Sequence, residues 1–359
     1  MSIKDSILRL LPSYRCKDAI IDELLKMNQN MDQKMIQMKK QISDLNEKND
    51  YLFFCLQHLK GESELETKKR VFMELPQASG RIRDFQIAAN YILQRVKRIC
   101  DENDIHFVLY AGTLLGALRH QGFIPWDDDV DIAMMHDDFL QLERILENDD
   151  EIVVQRYYRY LYSGIGAGFV IKVKLRNSDL FYVDVFPYEY VDLDGKDVLT
   201  SWQKTEKLCD SFHEELLKVF RDNGFYFDGT NRPTAIPAID DIVRELEKKY
   251  KKCFIEYMNE HGNNTHVCLA ISQDKEFRNA NKFWSTTDIF PLSKNSMKFE
   301  NMLFDEVNNH NVYLLHHYGD YWNFPSAIEH IHAKEMWKYD KTDKELVDKI
   351  KEQNTINNG

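Results

Sequence analysis

The sequence predicts a mixed α/β (α+β) domain preceded by an N-terminal coiled coil. Three observations predict it. An uninterrupted seven-residue apolar repeat fills residues 21–60. Beyond it, short apolar runs with strand character interleave with long patterns of helical period. The composition, 43% hydrophobic and 12% aromatic over 359 residues, suffices to bury a sizeable core, which excludes global disorder.

The repeat has two interleaved series, Leu24, Met31, Met38, Leu45, Leu52, Leu59 and Ile21, Asn28, Met35, Ile42, Asn49, Leu56. Offset by three, they fit d and a positions. Asn28 and Asn49 at a favour paired amides across a parallel homodimer. The same stripe would also suit one amphipathic helix lying on the main domain. Gly61-Glu-Ser closes the pattern, and a charged, turn-prone stretch runs to about Gly80. A helix over Ile82–Asn103 follows, with Phe85, Ala88, Ala89, Ile92, Leu93, Val96 and Cys100 on one stripe. Strands are expected at Ile105–Tyr110, Val130–Met134, Phe169–Leu175 and Phe181–Phe186, and helices at Ser201–Arg221 and Ile239–His261. The chain thus divides into an N-terminal segment (1–20), a coiled coil (21–60), a linker (61–80), a main domain (81–335) and a polar tail (336–359).

A net charge of -12 argues against broad wrapping of nucleic acid. Residues 1–60 carry 10 Lys/Arg against 8 Asp/Glu, so the excess acid lies in the main body. The six cysteines are scattered without a CxxC pair, which reads as reduced, mostly buried thiols. Met1-Ser-Ile-Lys-Asp-Ser6 lacks a signal-peptide core, and no stretch is apolar enough to span a bilayer. The expectation is a soluble cytoplasmic protein with no transmembrane segment, compatible with peripheral association at the inner face of a membrane.

The informative segment runs from Tyr110 to Met134. In Asp129-Val-Asp-Ile132, residues i and i+2 of a strand share a face, so the two carboxylates project together while Val130 and Ile132 enter the core. Adjacent carboxylates repel unless a cation lies between them, and hard oxygen ligands suit Mg²⁺ or Mn²⁺. Asp184, embedded in Phe181-Tyr-Val-Asp-Val-Phe186, supplies a third acid on a later strand. A solvated acidic turn would account for Asp127–Asp131 if the run stood alone. Upstream, however, Gly112 lets phosphate approach the backbone, Thr113 offers a hydroxyl, and Arg119 is spaced to meet a phosphate oxygen.

The wording Gly-Thr-Leu-Leu-Gly-Ala-Leu-Arg-His-Gln-Gly-Phe-Ile-Pro-Trp-Asp-Asp-Asp-Val-Asp-Ile over residues 112–132 resembles the LicD family, to which fukutin-type proteins are related. More broadly, the pattern is similar to the nucleotidyltransferase superfamily that includes DNA polymerase β. The likeness is specific over residues 82–134. It continues more loosely through Asp184, Ile289-Phe-Pro-Leu, Lys298-Phe-Glu300 and Tyr318-Gly-Asp-Tyr321. It implies a polymerase β-like mixed sheet flanked by helices. It also implies transfer of phosphocholine or a related phospho-alcohol from a CDP-linked donor, CDP-choline first, to a sugar of a cell-surface glycan, releasing CMP. Carried over, Asp129, Asp131 and Asp184 would be metal ligands and catalytic residues, and Gly112, Thr113 and Arg119 would hold donor phosphates. Asp127 and Asp128 rank below them.

Other features have plainer readings. Tyr157, Tyr158, Tyr160, Tyr162, Tyr182, Tyr188 and Tyr190 could cage a choline group, but most are expected in the core. Lys172 and Lys174 are expected to face solvent, His316, His317, His330 and His332 to be surface residues, and Trp126 to pack beneath the acidic turn. Rival functions are a glycosyltransferase holding a nucleotide sugar through Asp-x-Asp, a nucleotidyltransferase acting on a sugar phosphate or protein, and a coiled-coil scaffold without activity.

Overall fold

The structure, a computed structural model, describes residues 12–160, 167–225, 234–273, 283–324 and 338–357. The chain divides into two compact units, Met1–Lys68 with Asn323–Ser326, and Lys69–Trp322 with Ala327–Gly359. In the first, α1 (Pro12–Gln57) is one continuous helix. Leu24, Met31, Met38, Leu45 and Leu52 are exposed along it, so the heptad stripe has no apolar cover within its own unit. The expected linker contains a second helix, α2 (Glu64–Glu74). Its start is a capping box: Glu66 accepts from the Ser63 backbone N–H at 2.7 Å, and the Ser63 hydroxyl accepts from the Glu66 N–H at 3.3 Å. Ser63-x-x-Glu66 was legible, but the charge run obscured it.

In the second unit, α3 (Gly80–Glu102) buries the predicted stripe. Strand β1 (Phe107–Leu109), α4 (Ala111–His120), β2 (Asp131–Met135) and α5 (His136–Leu146) follow. Then come β3 (Ile152–Tyr160), β4 (Ala167–Leu175), β5 (Tyr182–Val191), α6 (Val198–Asp222), β6 (Thr234–Ala235) and α7 (Asp240–Met258). The last elements are β7 (His266–Leu269), β8 (Trp284–Ser285), α8 (Thr286–Ile289), β9 (Ser293–Phe299), β10 (Met302–Glu306), α9 (His310–Tyr318) and α10 (Lys341–Asn357).

The main sheet has the order β1-β2-β5-β4-β3-β6, with β7 on the outer half of β5 and β8 beyond it. It is mixed: β2 and β5 run parallel, whereas β1–β2, β4–β5, β3–β4 and β5–β7 are antiparallel. Alternation gives it two faces. One presents Ile132, Val185 and Ile171, all essentially buried. The other presents Asp131, Asp184 and Lys172, which the register sets side by side on β2, β5 and β4.

The polar tail of the sequence reading is a helix. Val347 and Ile350 are buried, while Lys344 and Lys351 pair with Asp84 of α3 at 3.0 and 2.8 Å. Burial pushes the Asp84 carboxyl up, but Lys351, Tyr339 and Lys344 together hold it below the usual carboxylate range. Among the described residues no helix is long and apolar enough to cross a membrane. Of the described cysteines, Cys100, Cys209 and Cys268 are buried and Cys55 and Cys253 exposed, all as free thiols.

Candidate active site

Three backbone hydrogen bonds build the site. The Tyr110 N–H donates to the Asp131 carbonyl at 3.0 Å, the Asp184 N–H donates to the Val130 carbonyl at 2.8 Å, and the Asp131 N–H donates to the Thr113 hydroxyl at 2.8 Å. Strand β2 is therefore fixed from both sides and from the first turn of α4. The outcome is that one oxygen from each of Asp129, Asp131 and Asp184 lies within 4.8 Å of the others. Asp129 is buried at 9% exposure, and the other two are partly buried.

This is an electrostatically expensive arrangement. Burial, then the charges of Asp129, Asp184 and Asp127, push the Asp131 carboxyl well above its ordinary range, with Lys172 opposing. Asp127 is pushed up in the same way, by burial and then by Asp129. The adjacent cation is Lys172, whose Nζ lies 2.8 Å from Asp184 Oδ1 and 3.0 Å from Oδ2, and 3.3 Å from the centre of the Tyr182 ring. The sequence reading placed Lys172 in solvent. Its register opposite Asp184 on β4 turns it onto the acid face instead.

Gly112 and Thr113 lie in the first turn of α4. A Cβ at position 112 would stand 2.9 Å from Asp127 Oδ2, so the absence of a side chain lets this carboxylate close over the helix start. Ala111 just before it has φ +44°, a left-handed conformation that costs a residue with a Cβ about 1–2 kcal/mol. Gln86 of α3 holds the acidic loop by donating to the carbonyls of Asp127 at 2.7 Å and Ile124 at 3.3 Å. Gly116 is needed for another reason: its Cβ would meet the Gly122 carbonyl at 2.6 Å, where the loop folds back on α4.

Arg119 is brought elsewhere than the carboxylates. It is 3% exposed, lies 3.5 Å over the Phe72 ring, and its Nε and Nη2 have no hydrogen-bond partner among the described residues. Burial lowers its pKa to about 10. Trp126 is partly buried against the core. His317 is not a simple surface residue, since it stacks on Trp284 at 5.8 Å and burial, then His316, lowers its pKa to about 4. Tyr158 is a fully buried core residue. Tyr162, His330 and His332 lie outside the described residues, as does the Tyr160 side chain.

Tyr318, at the end of α9 and 42% exposed as a whole residue, was missed as one whose phenol the acids influence. Burial first, then the charges of Asp131, Asp127 and Asp129, hold its phenol well above its ordinary range. The only sequence signal for it was its place in Tyr318-Gly-Asp-Tyr321.

Residues 104–226 match the family described as LicD/FKTN/FKRP, nucleotidyltransferase domain. Over that stretch the chain is similar to the LicD family. The match contains Gly112, Thr113, Asp129, Asp131, Lys172 and Asp184. Over 263 residues, 68% of this chain and 92% of the relative, it is 24% identical to the lipopolysaccharide cholinephosphotransferase LicD of Haemophilus influenzae. Shorter matches are 38% identity over 72 residues to an uncharacterized protein of Rickettsia prowazekii and 30% over 84 residues to human ribitol 5-phosphate transferase FKRP. These cover 27% and 17% of those two proteins. The expected resemblance to LicD and fukutin-type proteins is thereby met.

Proposed function

We propose that this chain is a phosphotransferase of the nucleotidyltransferase fold. It moves phosphocholine or a related phospho-alcohol from a CDP-linked donor to a sugar hydroxyl of a cell-surface glycan. The observation that carries this is the convergence within 4.8 Å of one carboxylate oxygen from each of Asp131 on β2, Asp184 on β5 and Asp129 just before β2. The named activities of the Haemophilus and human relatives support the substrate class. The donor set fits Mg²⁺ or Mn²⁺: oxygen ligands only, crowded, with Lys172 as their paired cation. Asp129, Asp131 and Asp184 would hold the metal, which supplies positive charge to offset that building on the attacking and leaving oxygens.

In this reading the sugar oxygen forms a bond to the phosphorus that bears the alcohol, and the bond from that phosphorus to the CMP oxygen breaks. Asp184 orients the sugar hydroxyl and takes its proton, while Lys172 keeps the Asp184 carboxylate in position. Gly112 and Thr113 present the first turn of α4 to the donor phosphates, the Thr113 hydroxyl still having its proton to donate. Residues 21–60 pair two copies through the exposed heptad stripe, and sedimentation as a monomer at micromolar concentration would remove that part.

The test is a donor screen read by mass spectrometry. CDP-choline, other CDP-alcohols and UDP-sugars are each offered with a glycan acceptor, with Mg²⁺, with Mn²⁺ and with EDTA. The expected result is metal-dependent CMP release with one CDP-alcohol and an acceptor heavier by the phospho-alcohol. UDP release would move the chain to the glycosyltransferases, and an acceptor heavier by a nucleotide would make it a nucleotidyltransferase.

A further inference from the structure

The three acids are not held in the same way. Asp131 and Asp184 stand on β2 and β5, and the parallel register of those strands fixes them. Asp129 precedes β2, which begins at Asp131, so it lies near the end of the loop 121–130 that joins α4 to the sheet. On one side of it the Val130 carbonyl accepts from the Asp184 N–H at 2.8 Å. On the other side the Asp127 carbonyl accepts from Gln86 Nε2 at 2.7 Å. The placement of Asp129 therefore depends on α3 through one amide.

That amide has a defined orientation. Gln86 is buried, one helical turn from Arg83, whose Nη1 donates to Gln86 Oε1 at 3.1 Å. A guanidinium only donates and a carbonyl only accepts, so the Gln86 NH2 faces the carbonyls of Asp127 and Ile124. Arg83 is held in turn by both oxygens of Glu300, Nη1 to Oε1 at 3.2 Å and Nη2 to Oε2 at 2.8 Å. Glu300 also closes onto the start of the same loop. Its Oε1 accepts from the Phe123 N–H at 3.4 Å, and its own N–H donates to the Gln121 carbonyl at 2.8 Å. A Cβ on Gly122 would stand 2.7 Å from Glu300 Oε1. One residue thus reaches the loop directly at 121–123, and through Arg83 and Gln86 at 124 and 127.

The backbone of Glu300 points the same way. Phe299 pairs with Met302, so Glu300 and Asn301 form the two-residue turn between β9 and β10. Glu300 has φ +51°, a left-handed conformation for which glycine or asparagine is the ordinary choice. A side chain is kept where the backbone favours none, and it is turned inward onto Arg83, 10% exposed.

We propose that Glu300, Arg83 and Gln86 are positioning residues that set the loop 121–130, and through it the Asp129 carboxylate that joins Asp131 and Asp184. The consequence for metal binding rests on the reading of these acids as metal ligands, whereas the loop itself is followed without metal. In the full chain, Mn²⁺ binding is read from the EPR signal of the free ion. Hydrogen exchange is read without metal at the amides of the loop, β2 and β5. The variants are Gln86→Met, Glu300→Ala and Gly122→Ala. Arg156→Met is the control, since it strands Glu143 and Glu247 on the other sheet face. Each of the three variants should weaken Mn²⁺ binding by about tenfold or more, the scale of losing a group that orients a metal ligand. Each should also speed exchange in the loop and not in the strands. Gly122→Ala should add nothing in the Glu300→Ala background, because its methyl acts by displacing that carboxylate. Arg156→Met should lower the melting temperature and leave the Mn²⁺ affinity of the folded protein unchanged.

Wild-type Mn²⁺ affinity and unchanged loop exchange in folded Gln86→Met and Gly122→Ala overturn the positioning role and leave the metal reading standing. Additive losses from Gly122→Ala and Glu300→Ala overturn it too, as does faster exchange spread evenly over loop and strands, the mark of a general fastener. A wild-type chain that binds no Mn²⁺, with exchange still faster in the loop of each variant, removes the metal reading and keeps the network.

Discussion

Arg156 and Asp131 lie on opposite faces of one sheet, each among acids. Arg156, 1% exposed, is paired with Glu143 and with Glu247, and Arg244 adds a second cation beside Glu143. Two guanidiniums meet two carboxylates, so the charge cancels beneath α5 and α7. Burial lowers the Arg156 pKa, but Glu247 and Glu143 overcome it and hold the group charged. Glu143 is likewise held below its ordinary value: burial raises it and the Arg156 and Arg244 contacts outweigh that. Around Asp131 the balance fails, with four aspartates against Lys172 and pKa values driven upward. A balanced buried cluster is a structural fastener. In the proposed function a divalent cation would supply the positive charge that the second cluster lacks.

Mutations on the two faces should therefore have opposite signatures. Asp131→Ala, the largest effect, should lower transfer by about a hundredfold or more, the loss typical when charge stabilisation at a reacting centre is removed. The melting temperature of the metal-free protein should stay level or rise, because one repelling charge has gone. A mutant with normal turnover breaks the comparison. Arg156→Met should do the reverse. It strands two buried glutamates and should cost about 3–5 kcal/mol in urea denaturation, with the turnover per folded molecule unchanged.

Lys172→Met sharpens the contrast between the faces. It removes the cation paired with Asp184, so the metal-free protein should lose stability while Mg²⁺ raises its melting temperature more than in the wild type. An unchanged Mg²⁺ response would mean that the acids do not compete for positive charge. The smallest effect is in pH. His120 is lowered to about 4 by burial, then by Arg119, against the opposing effect of donating to the Phe72 carbonyl, and His317 is lowered to about 4 by burial and then His316. Both bind protons more readily when unfolded. Stability should therefore fall as pH drops from 6.5 towards 4, and His317→Asn should flatten part of that slope in thermal melts. The Asp84 carboxyl acts lower, because its stabilisation of α10 is present above its ordinary pKa and lost only as pH falls through the depressed one.

Much of this was legible in the chain itself. Spacing alone gave a helix over Ile82–Asn103, seen as Gly80–Glu102, the β2 and β5 cores, and the acids Asp129, Asp131 and Asp184 as a set, because burial with period 2 or 3.6 is written locally. The extent of β5, the whole of β3 and the fastening of α10 were not legible. Their apolar positions are justified by partners far away, such as Phe169 against Tyr158 and Asp84 against Lys344 and Lys351.

The sequence by itself determined which acids exist and that Asp129 and Asp131 stand two residues apart, although β2 begins only at Asp131. Only the tertiary structure decided the rest. Parallel pairing of β2 with β5 put Asp184 beside Asp131, antiparallel pairing of β4 put Lys172 beside Asp184, and the end of α9 brought Tyr318 to the same charges. The reason is register: sequence period fixes which face a side chain takes, but only the hydrogen-bonded alignment of distant strands fixes whose neighbour it becomes.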